Sequence, residues 1–590
     1  MNGRRSQGQR WWARVLGVVL VLSMSPSAPV SGSSDDVVSV GLGPVEADVK
    51  DARWLPRQQP SDSRLTASLA ETARGNPNQF VDVIVAFDSV ENARAAQRVP
   101  TGARGVRRYN SLPFQAMRIP ASALVNLSRG THVRYVAQDS EVLGASSPAR
   151  QTARVPGGPT VPFSANTPYT GEGVTVAVVD TGIAPHPDFY HIKGQFNFVN
   201  GANGVQTAPH DGFGHGTHVA GMIGSTGYYS YNHKYQGVGT AASVVGLRVL
   251  DDDGRGNVSD VIAALDWIVS VGRTTYGVRV ANMSLGKGVE ESIDTDPLVQ
   301  AVDAVWNAGV VVVVSAGNFG GSGHYTVASP GNSRRVITVG SLTDNGSGSN
   351  FGDDYVSTFS SRGPTLIDHV LKPDLVAPGN RIIAPFAEGG HLANLVGNDK
   401  IVCGYSSGTN CSVRYLRLSG TSMAAGLVSG TVARMLQKDP SLTPNTVKAR
   451  LMKSARKISG SDPTEMGAGV LNVEAALNAT GVMGTTAALS PLMQLSSEGD
   501  IAYVQDTAQL WNNTQWAAGY LWTDGFLWTN AAPLGASGYL WSNAYLWSNS
   551  STWANSYLWS NGFLWTDAVK PASLEAEDPG EEEPDPEPLP

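Results

Sequence analysis

Cysteine is almost absent from this chain. Cys403 and Cys411 are the only two in 590 residues, so the fold can contain at most one internal disulfide. Charge is sparse too, at 16% of residues, and there is no basic stripe of the kind that tracks a polyanion. The net charge is -8, and positions 571–590 alone carry eight acidic residues and no basic ones. The rest is therefore close to neutral, and nucleic acid is excluded as a natural partner. Long apolar runs are missing as well. Positions 15–24 form the only pronounced one near the start, and nothing later approaches the roughly 20 residues needed to span a bilayer.

Glycine, by contrast, is abundant, at 66 residues, and the length implies more than one domain. Arg4, Arg5, Arg10 and Arg14 precede the apolar run, and small residues follow it. Residues 1–32 thus read as a signal peptide, and the protein as secreted, extracellular or held at the cell surface. Cys403 and Cys411 lie eight apart in a Gly/Ser/Asn-rich stretch. They either close a small loop or stay as two free thiols, and an oxidising compartment favours the bond.

Residues 33–79 show no period and read as a linker. Residues 80–142 read as a small α+β unit, with extended runs at 80–87, 114–119 and 133–137 and helices at 89–98 and 121–127. A connector with five prolines follows at 144–168, where a protease would cut. From 173 the texture changes. Short continuous apolar runs at 174–179, 243–249, 278–283, 310–314 and 336–339 predict parallel strands covered on both faces. Helices are expected at 216–224, 258–271, 297–308, 422–436 and 444–455, with Thr443 as cap and Pro444 as the first helical residue. The result is an α/β domain of about 310 residues with its site at the carboxyl ends of the strands.

Four segments carry chemistry. Asp180 closes the first strand in VAVVDTGI, His215 sits in GHGTHVAGMIG, Asn318 ends VVVVSAGN, and Ser422 lies in SGTSMAA before an apolar helix. Taken singly these are a turn former, a possible metal-ligand pair with His218, a turn amide and a helix cap. No HExxH pattern accompanies the histidines. Asp, His and Ser in that order form one known arrangement of a serine-hydrolase triad. DTG at 180–182, HGTHVAG at 215–221, SAGN at 315–318 and SGTSMAA at 419–425 together resemble the signature segments of the subtilisin-like serine proteases.

The resemblance covers about 170–480 and implies an α/β fold: a three-layer domain with a mostly parallel sheet. Residues 80–142 are similar to that family's inhibitory propeptide. The resemblance implies a secreted serine endopeptidase made as a zymogen, with extended peptides and its own propeptide as partners. Ser422 would be the nucleophile, His215 the base, Asp180 its orienting partner and Asn318 an oxyanion donor. Gly254 and Gly256, with Ser284, Leu285 and Gly286, would pair with an extended substrate. Ser315, Ala316 and Gly317 would wall the first specificity pocket above Ala328, and the absence of acid there predicts an apolar or broad preference.

The chemistry requires no cofactor. Family members often bind structural calcium, but no Asp-rich loop here identifies the ligands, and Asp251-Asp252-Asp253 reads as a solvated turn. One departure stands out, in that Gly426-Leu427 replaces the usual Pro-His continuation.

Residues 511–568 hold nine of the fourteen tryptophans, most of them in a hexad, aromatic-Leu-Trp-Ser/Thr-Asn/Asp-small, repeated in pairs every 18 or 19 residues. Such short β segments pack among themselves or on the protease domain. Alternatively, residues 520–568 contact a cell surface or polysaccharide, and the protein is a non-enzymatic adhesin. The Pro/Glu-rich tail at 571–590 reads as disordered.

Overall fold

The computed structural model describes residues 64–144 apart from 97 and 98, 168–344, and 353–495 apart from 405, 408, 409 and 459–461. Beyond these it describes only the short segments 501–504, 510–511, 527–529, 540–542, 546–548, 558–560 and 564–566. The expected signal at 1–32, nearly all of the connector and the acidic tail lie outside the described residues.

The first unit begins earlier than its sequence suggested. Helix α1 (Ala67–Gly75) falls inside the stretch read as linker, and Leu65 forms a bridge with Val136. Leu65 and Leu69 are its two large buried side chains, with Ala70 and Ala73 packed partly beside them, which is too little apolar bulk to reveal a period. A four-stranded antiparallel sheet follows, in the order β2 (Arg104–Arg108), β3 (Phe114–Pro120), β1 (Phe80–Phe87), β4 (Val133–Gln138). β2 was missed because its RGVRR sequence has the charge of an exposed edge.

The run at 80–87 was expected to alternate, but β1 is apolar without a break from Val83 to Phe87. Val83 and Val85 pack with Leu69, Met117 and Leu124 in the unit's own core, while Ile84 and Ala86 face Phe114, Tyr135 and the core of the large domain. From Val83 onward both faces are buried, so strict alternation disappears.

The large domain holds a sheet in the order β15 (Tyr355–Val356), β14 (Ile337–Thr343), β13 (Val311–Ser315), β11 (Val278–Met283), β6 (Thr175–Asp180), β9 (Ser243–Arg248), β7 (Ile192–Asn197), β8 (Val205–Thr207). β16 (Leu375–Pro378) also pairs with β14. All pairings are parallel except those of β15 and β8. The five predicted strands are all present. β6 sits centrally, with β9 and β11 on either side, so the loops diverge at its carboxyl end and leave a crevice there.

The helices follow their predicted spans closely: α4 (His215–Gly224), α5 (Val258–Trp267), α6 (Pro297–Asn307), α7 (Thr421–Lys438) and α8 (Pro444–Ser454). Shorter helices α2 (Val90–Ala95) and α3 (Leu124–Ser128) complete the first unit. After Trp267 the α5 pattern widens into a π-helical turn, Ile268–Gly272.

α7 is buried from Thr421 through Leu436 and packs along β11, β13 and β14. The departure at Gly426 has a packing reason. A Cβ there would stand 2.9 Å from Met222 Cβ and 3.3 Å from the Val219 carbonyl, so glycine lets α4 and α7 approach closely. Cys403 and Cys411 are bonded, with Cα atoms 5.6 Å apart, and Ser406–Ser407 pairs antiparallel with Asn410–Cys411 inside the loop they close.

The hexad at 520 lies outside the described residues; among the described residues, the hexads do not pair with their neighbours in sequence. Leu527–Thr529, Leu546–Ser548 and Leu564–Thr566 form one parallel sheet, and Leu540–Ser542 pairs with Leu558–Ser560 in another. The 18- or 19-residue unit, not the turn within it, therefore sets the register. Trp511 is buried against Leu371, Met452 and Met483, and its Nε1–H donates to the Leu489 carbonyl at 2.8 Å.

Candidate active site

Asp180 ends β6 with its side chain buried. Its Oδ1 accepts the Thr181 N–H at 2.8 Å and the His215 Nδ1–H at 2.7 Å. The parallel run of β6 delivers this carboxylate to the strand edge, and α4 presents His215 as its first residue. Asp211, which the sequence reading passed over, fixes that helix start. Its carboxylate accepts the N–H groups of Gly214 and Thr217 at 2.7 and 2.8 Å and the hydroxyls of Thr217 and Thr181 at 2.6 and 2.8 Å. Thr181 Oγ1 in turn accepts the Gly216 N–H at 2.9 Å. An anion thus meets the unpaired donors at a helix N-terminus and ties the Asp-Thr-Gly turn to the histidine. The signal was present as an acid four residues before His215, but in DGFG it looks like an ordinary turn former.

Burial alone would lower the His215 pKa. The charge of Asp180 and its hydrogen bond outweigh this, so the imidazole titrates above its ordinary 6.5. Its Nε2 has no hydrogen-bond partner among the described residues. His218 differs. Burial drives it down to about 3, and its Nε2 donates to the Leu416 carbonyl at 2.9 Å, which makes it a neutral core histidine and not a metal ligand.

Ser422 lies in the first turn of α7, fully buried. Ser284 Oγ donates to its carbonyl at 3.2 Å. Asn282 bridges Ser284 and Ser429 at 3.0 and 2.8 Å, clamping the helix start to the end of β11. Thr421, also unforeseen, orients Asn318. Its N–H and Oγ1–H both donate to Asn318 Oδ1, at 2.9 and 3.0 Å, while Oγ1 accepts the Gly317 N–H at 3.2 Å. With the oxygen so engaged, Nδ2 is the end of the amide that can serve as a donor beside the Ser422 N–H.

The two segments expected to pair with a substrate contain short strands, β10 (Arg255–Asn257) and β12 (Leu285–Gly286). Between them lies β5 (Glu141–Gly144), antiparallel to both. This strand straddles the expected boundary between unit and connector. Leu143 pairs with both Arg255 and Gly286, and the Gly144 N–H donates to the Gly254 carbonyl at 3.1 Å. Val142 is fully buried, and Glu141 pairs with Arg255 at 3.5 Å. A Cβ at Gly144 would lie 3.7 Å from His215 Nδ1 and 3.4 Å from a Leu250 methyl. The segment leaving the first unit therefore ends beside the imidazole.

Ala328 N–H donates to Ala316 O at 3.0 Å, and Lys287 and Ser329 exchange backbone bonds at 2.9 and 3.0 Å, so the segments at 285–287, 315–317 and 328–329 are joined. Asp296 Oδ2 accepts the Ser329 hydroxyl at 2.7 Å and faces buried Lys287 Nζ at 3.4 Å, so this nearby acid is already paired with a cation. Glu291, 3.8 Å from the same ammonium, is pushed up to about 8 by burial.

Asp251 accepts the N–H groups of Asp253 and Arg255, as a turn does, and Asp252 pairs with Arg248 at 2.8 Å. Among the described residues, one group has metal-like spacing: His324, Asp462 and Glu465, within 4.8 Å of one another. His324 Nδ1 bonds the Gly363 carbonyl, Asp462 caps the Thr464 N–H, and Glu465 pairs with Arg362 at 2.9 Å. Those commitments leave it a poor fit for calcium.

Comparison with known proteins agrees with this geometry. Residues 171–480 match the family described as the Subtilase family, peptidase S8. Serine protease AprX of Bacillus subtilis (strain 168) is 37% identical over 377 residues, 62% of this chain and 79% of that one. An extracellular serine proteinase of Thermus sp. (strain Rt41A) is 31% identical over 448 residues, 74% and 92% of the two chains. Among solved structures, fervidolysin of Fervidobacterium pennivorans, a keratinolytic enzyme related to subtilisin, superposes with a TM-score of 0.53 at 21% identity, covering 76% of this chain and 68% of that one.

Proposed function

Because the chain belongs to the subtilase family of serine proteases, we propose that Ser422, His215 and Asp180 are its triad, with Asn318 in the oxyanion site, and that it is a secreted endopeptidase made as a self-inhibited zymogen. Ser422 Oγ attacks the scissile carbonyl carbon while His215 Nε2 takes its proton. The carbonyl oxygen becomes an oxyanion and meets Asn318 Nδ2 and the Ser422 N–H. Collapse breaks the C–N bond, and His215 returns the proton to the leaving amine. Water then attacks the acyl ester by the same route, releasing acid and restoring Ser422. Asp180 keeps Nδ1 protonated and stabilises the imidazolium throughout.

The observation that carries this reading is β5. It fills the gap between β10 and β12 as an extended third strand, the way a peptide adds to exposed edges, and it ends beside His215. This pairing supports reading the unit 64–144 as the inhibitor, with cleavage in the connector that follows Gly144. The buried Trp511 suits a repeat segment that braces the protease, and among the described residues no helix is long and apolar enough to cross a membrane.

Secreted wild type and Ser422→Ala protein, treated with a fluorophosphonate probe, test the assignment. Wild type should be labelled and cut shortly after Gly144, and the variant should be neither. Equal labelling of both overturns it.

A further inference from the structure

The first unit grips the large domain at a second place, through one arginine. Arg107 lies on β2, its side chain only 10% exposed. Four oxygens of the large domain surround its guanidinium. Nε donates to Asn203 Oδ1 at 2.6 Å, one terminal nitrogen to Asp260 Oδ1 at 2.7 Å and the Ser259 carbonyl at 2.9 Å, and the other to the Phe198 carbonyl at 3.4 Å. Three nitrogens thus meet acceptors from the segment after β7 and from the first turn of α5.

The seat does not depend on the arginine for its construction. Asp260 is 3% exposed, and its two oxygens accept the N–H groups of Asn200 and Gly201 at 3.1 and 3.2 Å. All four acceptors and both of these donors belong to residues 198–260, so the site stays with the large domain when the first unit leaves. Its shape selects a planar fork with several donors. A single ammonium nitrogen cannot reach acceptors spread around three guanidinium nitrogens. Other contacts hold the unit nearby. Tyr109 donates to the Ser259 carbonyl, Asp266 accepts the N–H groups of Asn110 and Ser111, and Asp139 accepts the Ser259 N–H. Docking therefore has other supports, and Arg107 brings a full positive charge into a buried receptor.

We propose that this seat is a guanidinium-binding site of the catalytic domain that sets how long the severed first unit remains bound, and that small alkylguanidinium compounds compete for it and hasten the onset of proteolysis. The proposal rests on the reading of residues 64–144 as the inhibitor. The site is remote in kind from the cleft, since it recognises a side-chain charge and not an extended backbone.

The experiment follows the full chain from folding onward, recording cleavage by gel and the lag before a chromogenic peptide is hydrolysed. Arg107→Ala should be cut at the wild-type rate, which also shows that its first unit folds. Its lag should shorten roughly tenfold or more, as expected when one partner of a buried, charge-assisted pair is removed. Arg107→Lys should resemble the alanine variant. L-argininamide should shorten the wild-type lag but leave that of Arg107→Ala unchanged, and L-lysinamide at equal ionic strength should do neither. The wild-type comparison of the two amides needs no variant to fold. A wild-type lag in Arg107→Ala, or equal effects of the two amides, overturns the seat while leaving the inhibitor reading intact. Absence of any lag in wild type overturns both.

Discussion

Replacing Thr421 by valine tests how the oxyanion site is held. Valine keeps the branched shape of threonine at a fully buried position, so the packing of the α7 start survives. The hydroxyl contacts disappear: the 3.0 Å bond to Asn318 Oδ1 and the 3.2 Å acceptor for the Gly317 N–H. The Thr421 N–H bond to the same oxygen, at 2.9 Å, remains. A buried hydrogen bond contributes about 0.5–1.5 kcal/mol net. If that energy aims Nδ2 at the developing oxyanion, kcat falls roughly twofold to tenfold, since about 1.4 kcal/mol is one power of ten.

An upper bound is set by loss of the donor itself, which costs roughly 3–4 kcal/mol in subtilisin. KM should hardly move, because the bond acts on charge that appears only in the transition state. The assay is steady-state hydrolysis of a peptide anilide by wild type, Thr421→Val, Asn318→Ala and the double variant. In an Asn318→Ala background the valine substitution should cost almost nothing, as its only route to the reaction is gone. Wild-type kcat in Thr421→Val, or two losses that simply add, refutes the argument.

Two further predictions concern titration. His215 must be neutral to accept the serine proton, and its pKa lies above 6.5, so kcat/KM should fall as pH drops through a midpoint above that value. Asp180→Asn should move the midpoint down and cut kcat by about 10⁴-fold through the wrong tautomer; a wild-type midpoint at or below 6.5 in a pH–rate profile contradicts this. Glu291 has a folded pKa of about 8 against an ordinary 4.5, so between these values the folded state holds a proton that the unfolded chain has lost. Stability of uncut Ser422→Ala protein should therefore decline as pH rises from about 4.5 to 8, and Glu291→Gln should flatten that decline in denaturant titrations.

What was legible in the sequence was whatever one segment encodes alone. The apolar runs that became β6, β9, β11, β13 and β14 announce buried parallel strands because both faces are covered. The Asp180, His215, Asn318 and Ser422 motifs announce chemistry because each carries its reactive group with its own turn. The 18- or 19-residue repeat was legible for the same reason. The edge strand β2 was not, since its burial pattern is that of an exposed, charged segment. Nor was α1, whose two leucines have meaning only against β1 and β4.

The sequence by itself determined the order of the main strands and helices of the large domain, the motifs that hold the proposed nucleophile and its partners, and the pairing expected of Cys403 with Cys411. Tertiary structure alone decided which polar side chains would hold those groups in place. Asp211 and Thr421 look like turn and cap residues until folding brings Thr181 and Asn318 to them from 30 and 103 residues away. It also decided that four residues at a presumed domain boundary would become β5 between β10 and β12, because a strand's role is set by the edges it meets. The Arg107 seat is of the same kind, since its acceptors lie 91 to 153 residues along the chain and no local pattern announces them.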